Sequence, residues 1–394
     1  MNVSIAATLP MAPTPGVAAA TSPGTLPMAP TVGSHADLSP EQIERMRGEV
    51  RALAEERGAV ILAHNYQVPE VQDVADYVGD SLGLSRKAAT AEGDVIVFCG
   101  VHFMAETASI LCPEKTVLIP DLDAGCSLAD SIDAEQLADW KAQYPKGVVV
   151  MYVNTTAEVK ALTDYCCTSA NAVDVVRHIY ETQGDDTEIL FGPDMWLGAY
   201  VEKELGRRMH VWDGECHVHA GIRPADIEAT RAAHPDADFL IHPECGCTTS
   251  IMEYVASGDV SAEGVHMLST GGMLKYAEEL ERVAGGAAEH AVGAAGSSTG
   301  VAEADAGALQ AAAPQASPRE AVVATEIGML YPLRMAAPDV NFIPANPNAS
   351  CKYMKMITLP KLRDALRDMK YEVRVPEEIA LKARVPIDRM VALG

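Results

Sequence analysis

The stretch Thr116–Asp130, TVLIPDLDAGCSLAD, sets the plan of the whole chain. An apolar strand runs into a polar loop, and the loop presents one cysteine, Cys126, just ahead of a predicted helix start. The same order recurs in MHVWDGEC, which ends on Cys216, and in NFIPANPNASC, which ends on Cys351. Three strand-end loops, each offering one thiol, point to a site that exists only when distant parts of the chain have folded together.

Each loop closes a longer unit. In the first, VILAHNY reads as a buried strand of continuous apolar type that ends in His64, Asn65 and Tyr66. A helix follows (PEVQDVADY), GDSLGL puts Ser81 at the next helix start, and strand VIVFCG leads into helix FMAETASIL before TVLIP. The second unit repeats this order: VVVMYVN ends on Tyr152 and Asn154, CTSAN carries Ser169, and EILFGPDMWLGAYV gives strand then helix. In the third, DFLIHPEC carries His242 and Glu244, MLSTGGM carries Thr270, and AVVATEIGMLY precedes NFIPA. His64 to Ser81 and Tyr152 to Ser169 are both 17 positions, and the reach to the cysteine is 62 and then 64. In the third unit the corresponding distances are 28 and 109, and an Ala/Gly/Ser-rich stretch at 284–317 accounts for most of the excess in the longer one.

Strands alternating with helices at this spacing predict an α/β fold with parallel sheets. We expect three pseudo-symmetric domains, each a small parallel sheet layered with helices, around one central cavity. Ligands of such sheets bind beyond the carboxyl ends of the strands, which is where every polar group named above falls. The expected boundaries are a disordered Ala/Pro-rich tail at 1–38, a first domain at 39–127 completed by C-terminal helices at 358–394, a second at 128–217, and a third at 218–357. The stretch 284–317 is expected to be a disordered insertion within the third.

Composition narrows the partners. A formal charge of −25 over 394 residues argues against nucleic acid or an anionic membrane surface. An anionic substrate would then be held by local donors, and helix N-termini beside Ser81, Ser169 and Thr270 are suited to that; plain capping is the ordinary alternative. Nine scattered cysteines without a CxxC pair fit a reducing, cytoplasmic setting better than a disulfide scaffold. Residues 1–37 contain no Lys or Arg, so neither a secretory signal nor a transit peptide is expected. Apolar runs are strand-sized, and no membrane span is expected.

Three convergent thiolates suit a soft metal or an iron–sulfur cluster. With four irons and three protein thiolates, one iron stays open as a Lewis acid. Cys99, Cys112, Cys166 and Cys167 lie within apolar elements and read as small core residues. HPECGC could instead offer His242, Cys245 and Cys247 to zinc for hydrolysis, although that spacing matches no common structural zinc pattern. A third reading, an iron–sulfur sensor, lacks a basic surface for DNA. His217 and His219 flank Cys216, either behind the site or on the surface. His242 and Glu244 have the character of an acid–base pair at a strand end, and Tyr66 and Tyr152 that of cavity-facing phenols.

HNY, GDSL, CGVHFMAETA, YVNTTAEVKA, CTSAN, PDMWLGAYV, HPE, STGGM and ATEIGM, in this order with the three single cysteines, resemble the quinolinate synthase family from about Glu41 to the C-terminus. The resemblance implies a [4Fe–4S] cluster held by Cys126, Cys216 and Cys351. It implies condensation of iminosuccinate with dihydroxyacetone phosphate to quinolinate, phosphate and water, in NAD biosynthesis. By motif, His64, Ser81, Tyr152, Val153, Asn154, Ser169, His242, Pro243, Glu244 and Thr270 would line the substrate site. Tyr66, Glu244, His64 and His242 are the implied catalytic groups. An L-aspartate oxidase or dehydrogenase would supply iminosuccinate. Some relatives carry CxxCxxC around the third ligand; here Cys351 stands alone, which removes the basis for a disulfide switch there. Cys245 and Cys247 are left without an assigned role.

Overall fold

The computed structural model describes residues 38–258, 262–294 and 319–393. The expected tail falls outside them, apart from Leu38.

The first module opens with α1 (Pro40–Arg57), then β1 (Ala59–His64), α2 (Pro69–Gln72), β2 (Tyr77–Gly79), α3 (Ser81–Ala89), β3 (Val95–Cys99), α4 (His102–Leu111) and β4 (Thr116–Leu118). The second has α5 (Ala134–Gln143), β5 (Val148–Tyr152), α6 (Ala157–Lys160), β6 (Tyr165–Cys167), α7 (Ala172–Gln183), β7 (Ile189–Gly192), α8 (Met195–Leu205) and β8 (His210–Val211). The third has α9 (Pro224–Ala233), β9 (Asp238–Ile241), α10 (Thr248–Ser257), β10 (Val265–Met267), α11 (Thr270–Ala294), β11 (Glu320–Ala324), α12 (Leu330–Ala336) and β12 (Asn341–Pro344). Two helices, α13 (Leu359–Asp368) and α14 (Glu377–Ala392), end the chain.

The three sheets share one topology. Their strand orders are β2-β1-β3-β4, β6-β5-β7-β8 and β10-β9-β11-β12, with every pair of neighbours parallel. Runs such as VIVFC and ILFG are buried at every position, as expected of strands covered on both faces. The likeness extends to single hydrogen bonds. Asp76 accepts the Ile61 amide at 2.8 Å, and Asp164 accepts the Val149 amide at 2.8 Å. In the third sheet the equivalent amide, Phe239, donates at 2.6 Å to the carbonyl of Gly264, whose φ of 76° favours glycine.

Two features depart from expectation. α11 continues to Ala294, so a helix occupies the start of the stretch 284–317 expected as a disordered insertion. Its sequence there, AGGAAEHAVGA, is alanine-rich, and alanine is the strongest helix former. Residues 295–318 lie outside the described residues. The C-terminal helices also span two modules. α13 packs on α1, while α14 lies against α3 and α4 of the first module and against α6 and β6 of the second. Between them, Val117 and Ile119 exchange backbone hydrogen bonds with Val373 and Tyr371, which ties the tail to β4. Among the described residues, no helix is long and apolar enough to cross a membrane.

Candidate active site

Beyond the strand ends of all three sheets lies one cavity. Each module contributes to it from the same backbone addresses. The first strand of each ends in a pair of cavity-lining side chains two residues apart: His64 and Tyr66, Tyr152 and Asn154, His242 and Glu244. His64 and His242 each open a turn, their carbonyls accepting from the amides of Gln67 at 2.9 Å and Cys245 at 3.0 Å. Asn65, Val153 and Pro243 sit between the paired residues and do not line the cavity. Val153, expected at the substrate site, instead packs in the core while its amide donates to Cys167 at 2.8 Å. Pro243 is likewise buried away from the cavity.

The hydroxyls form a second set. His64 pairs with Gly79 and Tyr152 with Cys167, so Ser81 and Ser169 each stand two residues past the partner strand position. Thr270 holds the matching place after β10. None of the three supplies the helix cap. Asp80 accepts from Gly83 at 2.8 Å to cap α3, and Ser269 accepts from Gly272 at 3.1 Å at the start of α11. Ahead of α7, the Asn171 side chain accepts from the Thr168 amide at 2.8 Å. Ser81, Ser169 and Thr270 all line the cavity.

The thiols are the third set. Cys126, Cys216 and Cys351 follow the fourth strand of each sheet and line the same cavity. Each opens a helical turn, its carbonyl accepting from the residue four further on: Asp130 at 3.0 Å, Ala220 at 2.9 Å and Lys355 at 3.2 Å. A sulfur at the start of such a turn faces backbone N–H groups. Leu128 and Ala129 favour the Cys126 thiolate, and Tyr353 and Met354 that of Cys351. Burial and the neighbouring thiols outweigh this, pushing Cys126 well above the ordinary thiol range and Cys351 up to about 11. Such thiols stay protonated until a cation displaces the protons, which is the behaviour of metal ligands. All nine cysteines are free.

Between the thiols and hydroxyls runs a buried polar network. The Tyr152 phenol donates to Glu244 Oε1. Glu244 Oε2 lies 3.1 Å from His219 Nδ1, and Oε1 lies 3.7 Å from His242 Nδ1. Burial would raise the Glu244 pKa, yet His219 and His242 reverse this and hold it at about 2. His242 stacks on His219 with ring centroids 4.8 Å apart and reaches Ser169 Oγ at 3.2 Å. Burial lowers His242 to about 4 and His64 to about 3, so both are neutral near pH 7. Burial also opposes a charge on His219, but Tyr66, Cys216 and Glu244 raise it overall. The Tyr66 hydroxyl meets Thr325 Oγ1 at 2.6 Å and His219 Nε2 at 3.1 Å. Asn154 Oδ1 is buried with no protein partner among the described residues, so it is an acceptor free for a ligand.

His219 thus belongs to the heart of the site, not to its surface, whereas His217 is exposed at the rim and meets Ser127 Oγ at 2.6 Å. Ligand atoms of Cys216, His219 and Glu244 all lie within 4.8 Å of one another, close enough for a single ion. The zinc trio His242, Cys245 and Cys247 is not gathered in this way. Cys245 and Cys247 are fully buried outside the cavity lining, and the Cys245 thiol donates to the Ala324 carbonyl at 3.1 Å. Thr325, Glu326 and Lys355 join the site without having stood out in the sequence. The signal available was the acid in ATEIGM, polar between an apolar strand and an apolar helix.

Fold and site define an α/β enzyme whose three modules build one cavity from equivalent strand ends. The family model for quinolinate synthetase A protein matches residues 48–285 and 299–392. The chain is 52% identical over 352 residues to quinolinate synthase of Mycobacterium tuberculosis strain H37Rv, covering 89% of each chain. It is 51% identical over 355 residues to quinolinate synthase of Thermus thermophilus, covering 89% of this chain and 99% of that one. The chain belongs to the quinolinate synthetase A family.

Proposed function

We propose that this enzyme makes quinolinate for NAD biosynthesis by condensing iminosuccinate with dihydroxyacetone phosphate, with loss of phosphate and water. The observation that carries the reading is the meeting of Cys126, Cys216 and Cys351 in one cavity with the three strand-end pairs and three hydroxyls, none of which caps a helix. The donor set fits a [4Fe–4S] cluster: three free thiols on three separate turns, two of them faced by backbone N–H groups. A cluster bound there would supply a Lewis-acidic iron for carboxylate or hydroxyl groups.

The chain's own residues bind, orient and move protons. Both substrates are anionic, and Ser81, Ser169 and Thr270 offer hydroxyls beside helix N-termini. Asn154 and the neutral rings of His64 and His242 give polar contacts that do not repel an anion and can donate to it. Glu244, held ionised, accepts a proton, and its link to the Tyr152 phenol and His219 gives that proton a path. Tyr66 sits at the other end of His219 as donor and acceptor. Iminosuccinate would come from an L-aspartate oxidase or dehydrogenase, and the setting is cytoplasmic.

The test is an anaerobic preparation assayed for iron, sulfide and quinolinate formation from the two substrates. Iron and sulfide near about four each per chain, with quinolinate formed, support the reading. A different reading, a single-ion site at Cys216, His219 and Glu244, is favoured by their mutual distances and predicts one metal and no sulfide.

A further inference from the structure

Glu326 is fully buried, lines the cavity and follows β11, yet no step above uses it. Its Oε1 accepts the Cys351 amide at 2.9 Å, and its Oε2 accepts the Gly328 amide at 2.7 Å. Lys355 Nζ lies 3.0 Å from Oε1 and 3.2 Å from Oε2, and also donates to the carbonyl of Tyr66. Lys355 stands on the same turn as Cys351, its amide bonded to the Cys351 carbonyl at 3.2 Å. The neighbouring Thr325 holds the Tyr66 phenol. A Cβ on Gly328 would come within 2.7 Å of Glu326 Oε2, Lys355 Nζ and the Tyr66 carbonyl alike, so the chain leaves no slack around the pair.

We propose that Glu326 and Lys355 are positioning residues: a half-buried ion pair, with Glu326 fully enclosed, that clamps the turn bearing Cys351 to the backbone of Tyr66, and so sets the third thiol against the other two. The inference rests on Cys351 being a ligand of the shared centre. The pair straddles two modules. Lys355 bonds the first module through Tyr66, and Glu326 bonds both the turn and the β11 loop. Removing Lys355 leaves the charge of the fully buried Glu326 uncompensated, so the turn must shift to let it reach water. Cys126 and Cys216 stand on other loops that the pair does not touch.

The test follows the three thiols separately in the full-length chain. Iron is stripped with a chelator under argon, the chain is alkylated over time, and each cysteine is quantified by peptide mass spectrometry. In Lys355→Met, Cys351 should alkylate at least about tenfold faster than in the wild type, as a charged hydrogen bond lost would allow. Cys126 and Cys216 should keep their rates, and Lys355→Arg should restore slow labelling of Cys351. Should Lys355→Met not fold, Glu326→Gln carries the same comparison. Unchanged Cys351 labelling in a folded variant, or equal acceleration of all three thiols, would overturn the clamp. A wild type that holds no iron before stripping counts against the cluster and leaves the thiol comparison readable.

Discussion

Replacing Glu244 by Gln removes one charge at the centre of the network while keeping the side chain's size. The carboxyl is held at about 2 against an ordinary 4.5. At about 1.4 kcal/mol per pKa unit, the folded state favours the ionised form by roughly 3 kcal/mol. This agrees with the cost of about 3–5 kcal/mol for breaking a buried charged pair. Because the pKa is depressed, the contribution is complete above pH 4.5 and is lost as pH falls toward 2. Glu244→Gln should therefore unfold in urea with roughly 3 kcal/mol less stability at pH 7, and the gap to wild type should narrow as pH is lowered below 4.5. Turnover should fall about 10²- to 10⁴-fold, the usual contribution of a positioned acid or base. The assay is quinolinate formation at saturating substrate under anaerobic conditions, with iron and sulfide counted on the same sample. Wild-type turnover at wild-type iron content would refute the assignment. A stability loss with turnover intact would reduce Glu244 to a structural role.

Tyr66→Phe leaves Thr325 and His219 without their shared partner; it should cost about 1–3 kcal/mol in urea unfolding and lower kcat more than it raises KM. His64 and His242, lowered from 6.5 to about 3 and about 4, are buried neutral, so the unfolded chain binds their protons first. Stability should hold above pH 6.5 and decline below it by up to about 1.4 kcal/mol per pH unit for each histidine, a slope that His242→Asn should reduce in urea titrations between about pH 7.5 and 5. Cys126→Ala, Cys216→Ala and Cys351→Ala should each abolish retention of a four-iron centre, read by iron count and visible absorbance, while far-ultraviolet circular dichroism stays native. Asp76→Ala and Asp164→Ala remove the equivalent acceptors for the Ile61 and Val149 amides, and each should cost about 1–3 kcal/mol in chemical unfolding.

Much of this site is legible because strands announce their own ends. Apolar runs stop at His64, Tyr152 and His242, and in parallel α/β sheets those stops face the ligand. The cysteine loops are legible for the same reason, since each follows the last strand of its module. What escapes the sequence depends on direction or on distant contact. Val153 and Pro243 belong to the right motifs, but their side chains point away from the cavity, and motif membership carries no side-chain direction. His219 reads equally well as surface or as buried, because its partners Tyr66, Glu244 and Thr325 lie 153, 25 and 106 positions away. Glu326 and Lys355 acquire meaning only through Tyr66, whose carbonyl is 289 positions from Lys355. The helical start of the low-complexity stretch hides behind its alanine richness, which marks low complexity and helix propensity at once.

The repeated topology also explains which positions are uniform and which are not. The fourth-strand loops carry the same residue in all three modules, Cys126, Cys216 and Cys351. The helix-start hydroxyls are nearly uniform as Ser81, Ser169 and Thr270. The strand-end pairs differ: His64 with Tyr66, Tyr152 with Asn154, His242 with Glu244. A centre gripped by three like thiols, as proposed, would present the same demand to each module, so one residue type would serve three times. The substrates proposed above have no such symmetry, and in their condensation a proton would leave one atom and arrive at another. Equivalent backbone addresses therefore carry an acceptor held ionised in one module, a phenol in another and a neutral amide in the third. The charge on Glu244 is flanked by two rings, His219 and His242, that both come from the third module's side of the cavity. Moving that carboxylate to the equivalent address at Asn154, by exchanging the two residues, should leave it without those rings. The exchanged chain should then lose catalysis even though the same groups face the same cavity.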